Sequence, residues 1–286
     1  MAINEIVVIS GKGGTGKTSI TASILPYLEN AVVADCDVDA PDLHILLHPV
    51  ETASNTFIGT KKAKLDAEKC TACMLCYNHC KFNAISEFLV FNPMKCEGCG
   101  VCELVCPVNA VILEDTVVGT IYHGDTDYGP MVHARLIPGE ETSGKLVSAV
   151  RKEAKNIAEE KNFQTVLIDG SPGIGCNVIS SITGAGRVII VTEPTMSGIH
   201  DMKRVLDITE KFSGKAYIII NKSDLSEDMS REIEKESERR GAPVVLKLPF
   251  YKNMVKAITY KKIPSLAEKD FFSSHGFEEF IRILKK

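Results

Sequence analysis

The sequence predicts an α/β fold: a doubly wound, mostly parallel sheet with a small α+β domain inserted into it. Short apolar segments rich in β-branched residues recur along the chain, and helical patterns separate most of them. Strands that are apolar on both faces and alternate with helices are typical of a parallel sheet covered on both sides. The alternation stops between about residues 53 and 116, where eight of the ten cysteines lie, and this interruption predicts the insertion.

The elements are predicted in the following order. A strand over 5–10 leads through a glycine-rich turn into a helix that Pro26 should kink or shorten. Further strands are predicted over 31–37, 117–124, 165–170, 187–193, 216–221 and 242–248, and helices over 144–161, 175–183, 197–212 and 227–240. The chain is therefore divided into a discontinuous domain, 1–52 and 117–286, and an insert, 53–116.

Composition and charge narrow the class of protein. The 286 residues include 33 Lys and Arg against 37 Asp and Glu, a net charge of −4, whereas nucleic-acid-binding proteins usually carry a basic surplus. No apolar run reaches the roughly 18 residues that cross a bilayer, and the first ten residues lack the features of a signal peptide. We expect a cytoplasmic protein with no nucleic-acid partner and no membrane contact, whose last residues, 276–286, form a packing helix.

The segment GKGGTGKT follows the first strand and precedes a helix, which is the setting of a phosphate-binding loop. Its backbone N–H groups would surround the phosphates at a helix N-terminus. Lys17 would neutralise the outer phosphates and the Thr18 hydroxyl would bind Mg²⁺; a glycine-rich turn with exposed lysines is the alternative. The residues predicted to bind nucleotide here are Gly11, Lys12, Gly13, Gly14, Thr15, Gly16, Lys17 and Thr18.

The second lysine of this loop, Lys12, makes the segment KGGTGKT resemble the deviant Walker A motif of the MinD/ParA/nitrogenase-iron-protein family. The resemblance implies two protomers, identical or paralogous, clamped face to face by ATP. It also implies that Lys12 reaches the partner's nucleotide. Asp35-Cys36-Asp37 is similar to the family's DxD motif, which implies that Asp37 polarises the attacking water. Asp39 and Asp42 are less favoured for that role, and solvated loop acids are the alternative for them.

Two later segments extend the resemblance. Val166–Gly173 is a strand followed by a Gly/Pro loop, in which Asp169 would hold Mg²⁺ through water and the loop would sense the γ-phosphate. Asn221 opens an NKxD segment, which taken alone suggests guanine. In the family the Asn serves adenine, and Pro249 and Phe250 resemble a second adenine-contacting segment, so ATP is favoured and GTP stays open.

The cysteines of the insert fall into two runs of the form CxxCxxCxxxC, which is the spacing of bacterial two-cluster ferredoxins. In that arrangement each run supplies three thiolates to one [4Fe–4S] cluster, and the fourth comes from the other run. One predicted set is therefore Cys70, Cys73, Cys76 and Cys106, and the other is Cys80, Cys96, Cys99 and Cys102. Zinc and disulfides are the alternatives, although zinc sites more often use CxxC pairs.

The remaining cysteines are harder to interpret. Cys36 is expected to be a small core residue. Cys176 follows Asp169 at a spacing similar to that of a cluster ligand in the nitrogenase iron protein, but its companion would fall near 141–150, where there is no cysteine. Helix packing is therefore favoured over a redox role. His44 and His48 lie at i, i+4 and are expected to mark a helix face rather than a metal site.

These features support three hypotheses for function. In the first, ATP hydrolysis in a dimer gates electron transfer through the two clusters to a redox partner protein. In the second, the protein carries or assembles metal clusters for a metallocluster partner, although the C-terminal CxxC of such scaffolds is missing. In the third, it is a MinD-like positioning switch in which the clusters are structural. The expected cofactors are ATP or ADP, Mg²⁺ and two [4Fe–4S] clusters.

Overall fold

The computed structural model describes residues 3–140, 144–212 and 214–285. The strands in this part of the chain are β1 (Asn4–Ser10), β2 (Ala31–Asp35), β3 (Val50–Leu65), β4 (Val111–Thr126), β5 (Gly129–Leu136), β6 (Thr165–Pro172), β7 (Arg187–Thr192), β8 (Lys215–Asn221) and β9 (Val244–Leu248). The first six helices are α1 (Lys17–Ile24), α2 (Leu43–Leu47), α3 (Leu75–His79), α4 (Val101–Leu104), α5 (Gly144–Glu160) and α6 (Cys176–Ile182). The others are α7 (Met196–Phe212), α8 (Glu227–Arg239), α9 (Lys252–Thr259), α10 (Pro264–Ala267), α11 (Lys269–Ser274) and α12 (Phe277–Lys285).

The strands form one sheet in the order β3-β4-β5-β2-β6-β1-β7-β8-β9. Every neighbouring pair from β5 to β9 is parallel. In the sheet, β6, β2 and β5 lie on one side of β1, and β7, β8 and β9 lie on the other. The predicted α/β fold with a mostly parallel sheet is therefore confirmed, and ligands are expected at the carboxyl ends of its central strands.

The described residues divide into two compact units. The larger comprises those within 1–54, 121–135 and 142–286, and the smaller those within 55–120 and 136–141. The sequence pattern places 117–120 and 136–140 in the larger domain, but in the structure they belong to the smaller unit. Two long strands, β3 and β4, contribute residues to both units.

The predicted strand over 117–124 is part of a longer strand, β4, and two neighbouring strands are not predicted by the sequence pattern. Only two residues join β4 to β5, a connection that requires antiparallel pairing. β3 escapes prediction because most of its residues are exposed and polar, so it has no apolar run. In β5 a proline, a histidine and an arginine interrupt the apolar pattern.

The ends of two elements are set by local features. β2 stops at Asp35 rather than at the predicted residue 37, because the Asp35 carboxylate accepts the N–H of Asp37 (3.1 Å) and turns the chain. α1 ends at Ile24, and Pro26 lies in the 3-10 turn that follows, as expected of a proline that shortens a helix.

The core of the larger unit lies between its sheet and its helices. It includes Ile6 and Val8 of β1, Leu167 of β6 and four side chains of α12, namely Phe277, Phe280, Ile281 and Leu284. The last helix is therefore a packing helix, as predicted. Among the described residues, no helix combines the length and the apolar character needed to cross a membrane.

Candidate functional site

The glycine-rich loop lies at the carboxyl end of β1 and leads directly into α1. Lys17, the first residue of α1, is 6% exposed, and its ammonium lies 3.0 Å from Asp169 Oδ2 and 3.4 Å from Asp37 Oδ2. Burial opposes the charge on Lys17, but these carboxylates outweigh burial and raise the pKa of its ammonium. Three residues predicted from separate motifs therefore meet at one point.

Asp169, at the end of β6, is fully buried and holds the start of α1. Its Oδ2 accepts the Thr18 hydroxyl at 2.7 Å, and its Oδ1 accepts the Thr21 hydroxyl at 2.8 Å. A hydroxyl and a carboxylate at hydrogen-bond distance are oxygen donors of the kind that Mg²⁺ prefers. The two predicted Mg²⁺ residues, Thr18 and Asp169, are thus neighbours.

The two acids at the carboxyl end of β2, Asp35 and Asp37, have different environments. The Asp35 carboxylate is buried and accepts the backbone N–H groups of Asp37 and Leu43, each at 3.1 Å. Burial, followed by the charge of Asp169, raises the pKa of Asp35 well above its usual range. Burial also raises the pKa of Asp37, which lines the cavity beside the loop. Asp35 thus orders the backbone, whereas Asp37 faces the cavity.

The loop glycines differ in what they require. Gly16 has φ +94°, and a Cβ there would overlap the amide nitrogen of Asn221. That nitrogen donates to the Thr15 carbonyl at 2.7 Å. At Gly13, no heavy atom of the described residues, apart from those of Gly13 and its two chain neighbours, lies within 4 Å of the point that a Cβ would occupy, so this position is open. The loop is therefore packed against Asn221 at Gly16, whereas a side chain could be accommodated at Gly13.

A cavity of about 700 Å³ runs from the loop to the segment after β9. Loop residues, Asp37, Asn221, Pro249 and Phe250 line it. The carboxylate of Asp224, the Asp of the NKxD segment, accepts the Phe250 N–H at 2.6 Å. Asp224 thus positions the Pro249–Phe250 turn, a use that differs from guanine recognition.

Lys12, the second lysine of the loop, is paired within its own chain. Its ammonium lies 2.6 Å from Glu193 Oε1 and donates to the Ser197 hydroxyl at 3.0 Å. Lys222 contacts the other carboxylate oxygen of Glu193 at 2.9 Å. Burial raises the pKa of Glu193, but the hydrogen bonds from Lys12 and Lys222 outweigh it and hold that pKa below its usual value.

A group of aromatic rings adjoins the loop that follows β2. His133 of β5 is 1% exposed and stacks between His44 of α2 (5.4 Å between centroids) and Tyr122 of β4 (5.0 Å). Neither ring nitrogen of His133 has a hydrogen-bond partner in the part of the chain that the structure describes. Arg135 donates to His44 at 2.9 Å and lies over Tyr122. His48, by contrast, pairs with the Lys261 carbonyl (3.0 Å), so the two histidines of DLHILLH have separate partners.

In the smaller unit, the cysteines line two separate small cavities. One is lined by Cys80, Cys96, Cys99 and Cys102. The other is lined by Cys70, Cys73, Cys76 and Cys106. These groups coincide with the two sets predicted from the spacing.

The sulfur atoms in each half receive matching backbone hydrogen bonds. The N–H of Ala84 points to Cys80 Sγ (3.4 Å), and that of Ala110 to Cys106 Sγ (3.1 Å). Burial opposes ionisation of Cys106, but its backbone N–H donors outweigh burial and lower the pKa of this thiol. Burial raises the pKa of Cys102 to about 11. All cysteines in the described residues are free thiols.

The thiols of each set lie along the walls of their cavity and are not grouped around a single point. Among the described residues, no three His, Cys, Asp or Glu side chains are placed to hold a single metal ion. Cys36 is fully buried, as expected of a core residue. Cys176 is exposed at the start of α6, and residues 141–143, part of the segment where a companion ligand would fall, lie outside the described part.

Comparison with known proteins decides the family. A family model described as the CobQ/CobB/MinD/ParA nucleotide binding domain matches residues 6–264. The chain belongs to this MinD/ParA family. Members of the family bind nucleotide, and the chain is therefore a nucleotide-binding protein with the phosphate loop described above.

Relatives of this MinD/ParA-type protein differ in how much of it they cover. Protein MJ0578 of Methanocaldococcus jannaschii is 34% identical over 227 residues, which is 78% of this chain and 80% of that protein. MJ0579 of the same organism is 29% identical over 232 residues, 78% of this chain and 81% of that protein. Pyruvate synthase subunit PorD of Thermotoga maritima is 41% identical over 51 residues, 16% of this chain and 52% of the subunit.

Solved structures support the MinD/ParA fold. The cell division ATPase MinD of Pyrococcus furiosus aligns with a TM-score of 0.58 at 15% identity, over 99% of this chain and 98% of that one. MinD of Pyrococcus horikoshii, solved with Mg-ADP, aligns with a TM-score of 0.56 at 16% identity, over 99% and 95% of the two chains.

Several residues of the site are not found from the sequence of this MinD/ParA member. Glu193 directly follows β7, so the rule that side chains at carboxyl ends of parallel strands meet would have drawn attention to it. Lys222 stands out in the sequence only as part of NKxD. Thr21 and His133 carry no motif, because their roles arise from packing against residues far away in the chain.

Proposed function

We propose that this protein is an ATP-hydrolysing iron–sulfur electron carrier in which the nucleotide state of a dimer controls electron release. The observation that carries the proposal is the presence, in one chain, of a MinD/ParA nucleotide site and of two cavities each lined by four cysteines. The similarity to pyruvate synthase subunit PorD over 51 residues supports an electron-transfer module.

The nucleotide half of the proposal assigns roles to residues that already meet. Backbone N–H groups of Gly11–Thr18 would hold the phosphates, with Lys17 at the outer ones. Thr18 and Asp169, through water, would hold Mg²⁺. Asp37 would orient the attacking water, and its raised pKa makes it a better proton acceptor near neutral pH. Lys12 would act on the nucleotide of a partner protomer.

The base is proposed to be adenine. Asn221 has one amide hydrogen engaged with Thr15, and the other remains for the base. Pro249 and Phe250 line the cavity, and Phe250 is 53% exposed, so its ring is free to pack on a base. Asp224 accepts the Phe250 N–H through one carboxylate oxygen and so helps to place the Pro249–Phe250 turn beside the base.

The chemistry of the two cysteine sets supports the proposal of two [4Fe–4S] clusters. Each offers four thiol donors, which is the ligand set of such a cluster, and backbone N–H groups that stabilise charge on sulfur. Cys70, Cys73, Cys76 and Cys106 would hold one cluster, and Cys80, Cys96, Cys99 and Cys102 the other. When bound, the clusters would supply one-electron transfer.

Chain connectivity provides a route for coupling. The loop that begins at Asp37 continues into α2, and only two residues separate α2 from β3. β3 then extends into the smaller unit. A nucleotide-dependent movement of the Asp37 loop would therefore be transmitted along one continuous segment to the cysteine-rich unit.

The test is the affinity for nucleotide in two oxidation states. Anaerobically purified protein is titrated with Mg²⁺ and ATPγS, first oxidised and then reduced with dithionite. Coupling of the proposed kind predicts dissociation constants that differ by about tenfold, because linkage between the two sites is reciprocal. Equal constants in the two states would contradict the proposal; the Cys99→Ala variant, with one cluster removed, should show a smaller difference.

A second candidate is a MinD-like positioning switch, favoured by the similarity in fold to MinD over 99% of the chain. In that case the cysteine-rich unit is structural, and nucleotide affinity does not depend on oxidation state. The same titration therefore separates the two functions.

A further inference from the structure

Glu193 lies at the centre of a three-residue ionic cluster beside the phosphate loop. It directly follows β7, and its side chain is 12% exposed. One carboxylate oxygen contacts Lys12 at 2.6 Å and the other contacts Lys222 at 2.9 Å. Each oxygen thus has its own ammonium within the chain.

Lys222 and Lys12 differ in the hydrogen bonds that they make besides those to Glu193. The Lys222 ammonium also donates to the Gly14 carbonyl at 3.2 Å and is thereby tied to the loop backbone. The Lys12 ammonium donates in addition to the hydroxyl of Ser197, one residue into α7. Departure of Lys12 therefore breaks one ion pair and one hydrogen bond from its ammonium to an uncharged hydroxyl.

The second lysine reduces the electrostatic cost of such a departure. A largely buried carboxylate without a cation carries a large desolvation penalty. With Lys222 still in contact, Glu193 keeps a cation after Lys12 has left. This arrangement stabilises both positions of Lys12, the one seen here and an extended one.

We propose that Glu193 is a positioning residue that holds Lys12 within its own chain, in competition with the nucleotide of a partner protomer, while Lys222 stays as the permanent counter-cation. This inference rests on the proposed ATP-dependent dimer. The Lys12 ammonium lies 2.6 Å from Glu193 within its own chain, and to act on a nucleotide in a partner protomer its side chain would have to leave this contact. The contact therefore sets the protein concentration at which ATP-bound chains pair.

Two substitutions should change dimerisation in opposite directions. Glu193→Gln removes the charge that retains Lys12 but keeps the side-chain size, so dimers should form more readily. Loss of an ion pair of this exposure should change the equilibrium constant for release of Lys12 about threefold. Because both protomers of a homodimer must release Lys12, the dimer dissociation constant should fall about tenfold. In Lys222→Met, Glu193 loses its other ammonium and should hold Lys12 more tightly. The dimer dissociation constant of this variant should therefore rise.

The experiment is sedimentation velocity of anaerobically purified protein with Mg²⁺ and ATPγS over a range of protein concentrations. Glu234→Gln is the matched control, since Glu234 pairs with Lys247 at 2.6 Å on α8 and β9, away from the loop. It should dimerise like wild type. Thermal unfolding without nucleotide checks that each variant is folded, and Glu193→Asp, whose shorter side chain also weakens the contact, replaces Glu193→Gln if the latter is not.

The outcomes distinguish this inference from the proposed function. If wild type dimerises and Glu193→Gln dimerises equally or less well, the competition is refuted and the ATP-dependent dimer stands. If neither chain dimerises, both the dimer and the competition are refuted. Tighter dimers of Glu193→Gln together with weaker dimers of Lys222→Met support the inference, because a merely structural loss would weaken both.

Discussion

Gly16 shows how a single residue joins the phosphate loop to the rest of the site. Its positive φ and its contact with Asn221 both exclude a side chain, whereas Gly13 has open space around it. The motif alone identifies both glycines as phosphate-loop residues. It does not reveal which of them also carries a packing constraint, because Asn221 approaches from a distant strand, β8.

We predict that Gly16→Ala lowers the free energy of unfolding by about 1–3 kcal/mol, since the substitution strains the backbone and displaces the Asn221 amide. Gly13→Ala is the matched control and should change that free energy by less than about 0.5 kcal/mol. Urea denaturation of the nucleotide-free protein measures both. Similar losses for the two variants would show that Gly16 has no special constraint.

His133 predicts a pH dependence of stability. Burial, followed by the nearby charges of His44 and Arg135, lowers the pKa of His133 from 6.5 to about 4. Below pH 6.5 the imidazole of the unfolded chain binds a proton that the buried imidazole of the folded chain does not. The free energy of unfolding is therefore unaffected by this proton above pH 6.5. It falls progressively as the pH is lowered toward 4, by about 3 kcal/mol in total.

We therefore predict that His133→Phe reduces the loss of stability between pH 7 and pH 4 by about 3 kcal/mol relative to wild type. The exposed His200 provides the control variant His200→Gln, which should follow the wild-type curve. Urea denaturation at a series of pH values is the measurement, with His133→Gln as a second variant. Parallel curves for wild type and both His133 variants would contradict the burial of a neutral imidazole.

At the scale of elements, most of the strands that could be predicted from the sequence are largely buried on both faces. Such strands form continuous apolar runs, and β1, β6, β7 and β8 agree with prediction within one or two residues. β3 could not be predicted in this way, because charged and polar residues occupy most of its length. Short helices such as α10 and α11 also leave no periodic signal, since four to six residues do not complete two turns.

The two cysteine runs are the elements whose pairing can be tested most simply. If Cys106 belongs with Cys70, the double variant Cys70→Ala/Cys106→Ala should lose one cluster and keep about four irons per chain of about eight. Cys70→Ala/Cys96→Ala should lose nearly all iron. Iron is measured on anaerobically purified protein, and Cys176→Ala, which changes an exposed cysteine outside both cavities, should keep the full amount. Loss of all iron in the first double variant would overturn the assignment of Cys106.

At the scale of the whole molecule, most of the nucleotide site could be predicted because its parts are contiguous motifs. Lys17, Thr18, Asp37 and Asp169 are each placed by the strand end or loop that carries them, and the structure brings them together. The Glu193 cluster and the stack around His133 are not predicted, since neither Glu193 nor His133 belongs to a recognised motif. These two features adjoin the phosphate loop and the loop after β2, which are the parts proposed to respond to nucleotide.

In the proposed function, nucleotide binding and the oxidation state of the clusters are energetically coupled. The coupling is proposed to run from the Asp37 loop through α2 and β3, which connect the two units in sequence. A change in nucleotide affinity between oxidation states and a change in cluster potential with nucleotide are two expressions of one coupling free energy. The potential is the more direct of the two, because it reports on the clusters themselves.

The decisive measurement is an EPR-monitored redox titration of anaerobically purified protein, with and without Mg²⁺ and ATPγS. We expect nucleotide to shift the potential of at least one cluster by about 60 mV, equivalent to a tenfold change in affinity for a one-electron couple. The Lys17→Ala variant, which should not hold the phosphates, should show no shift under the same conditions. Coincident titration curves for wild type with and without nucleotide would contradict the claim that ATP controls the clusters' potentials.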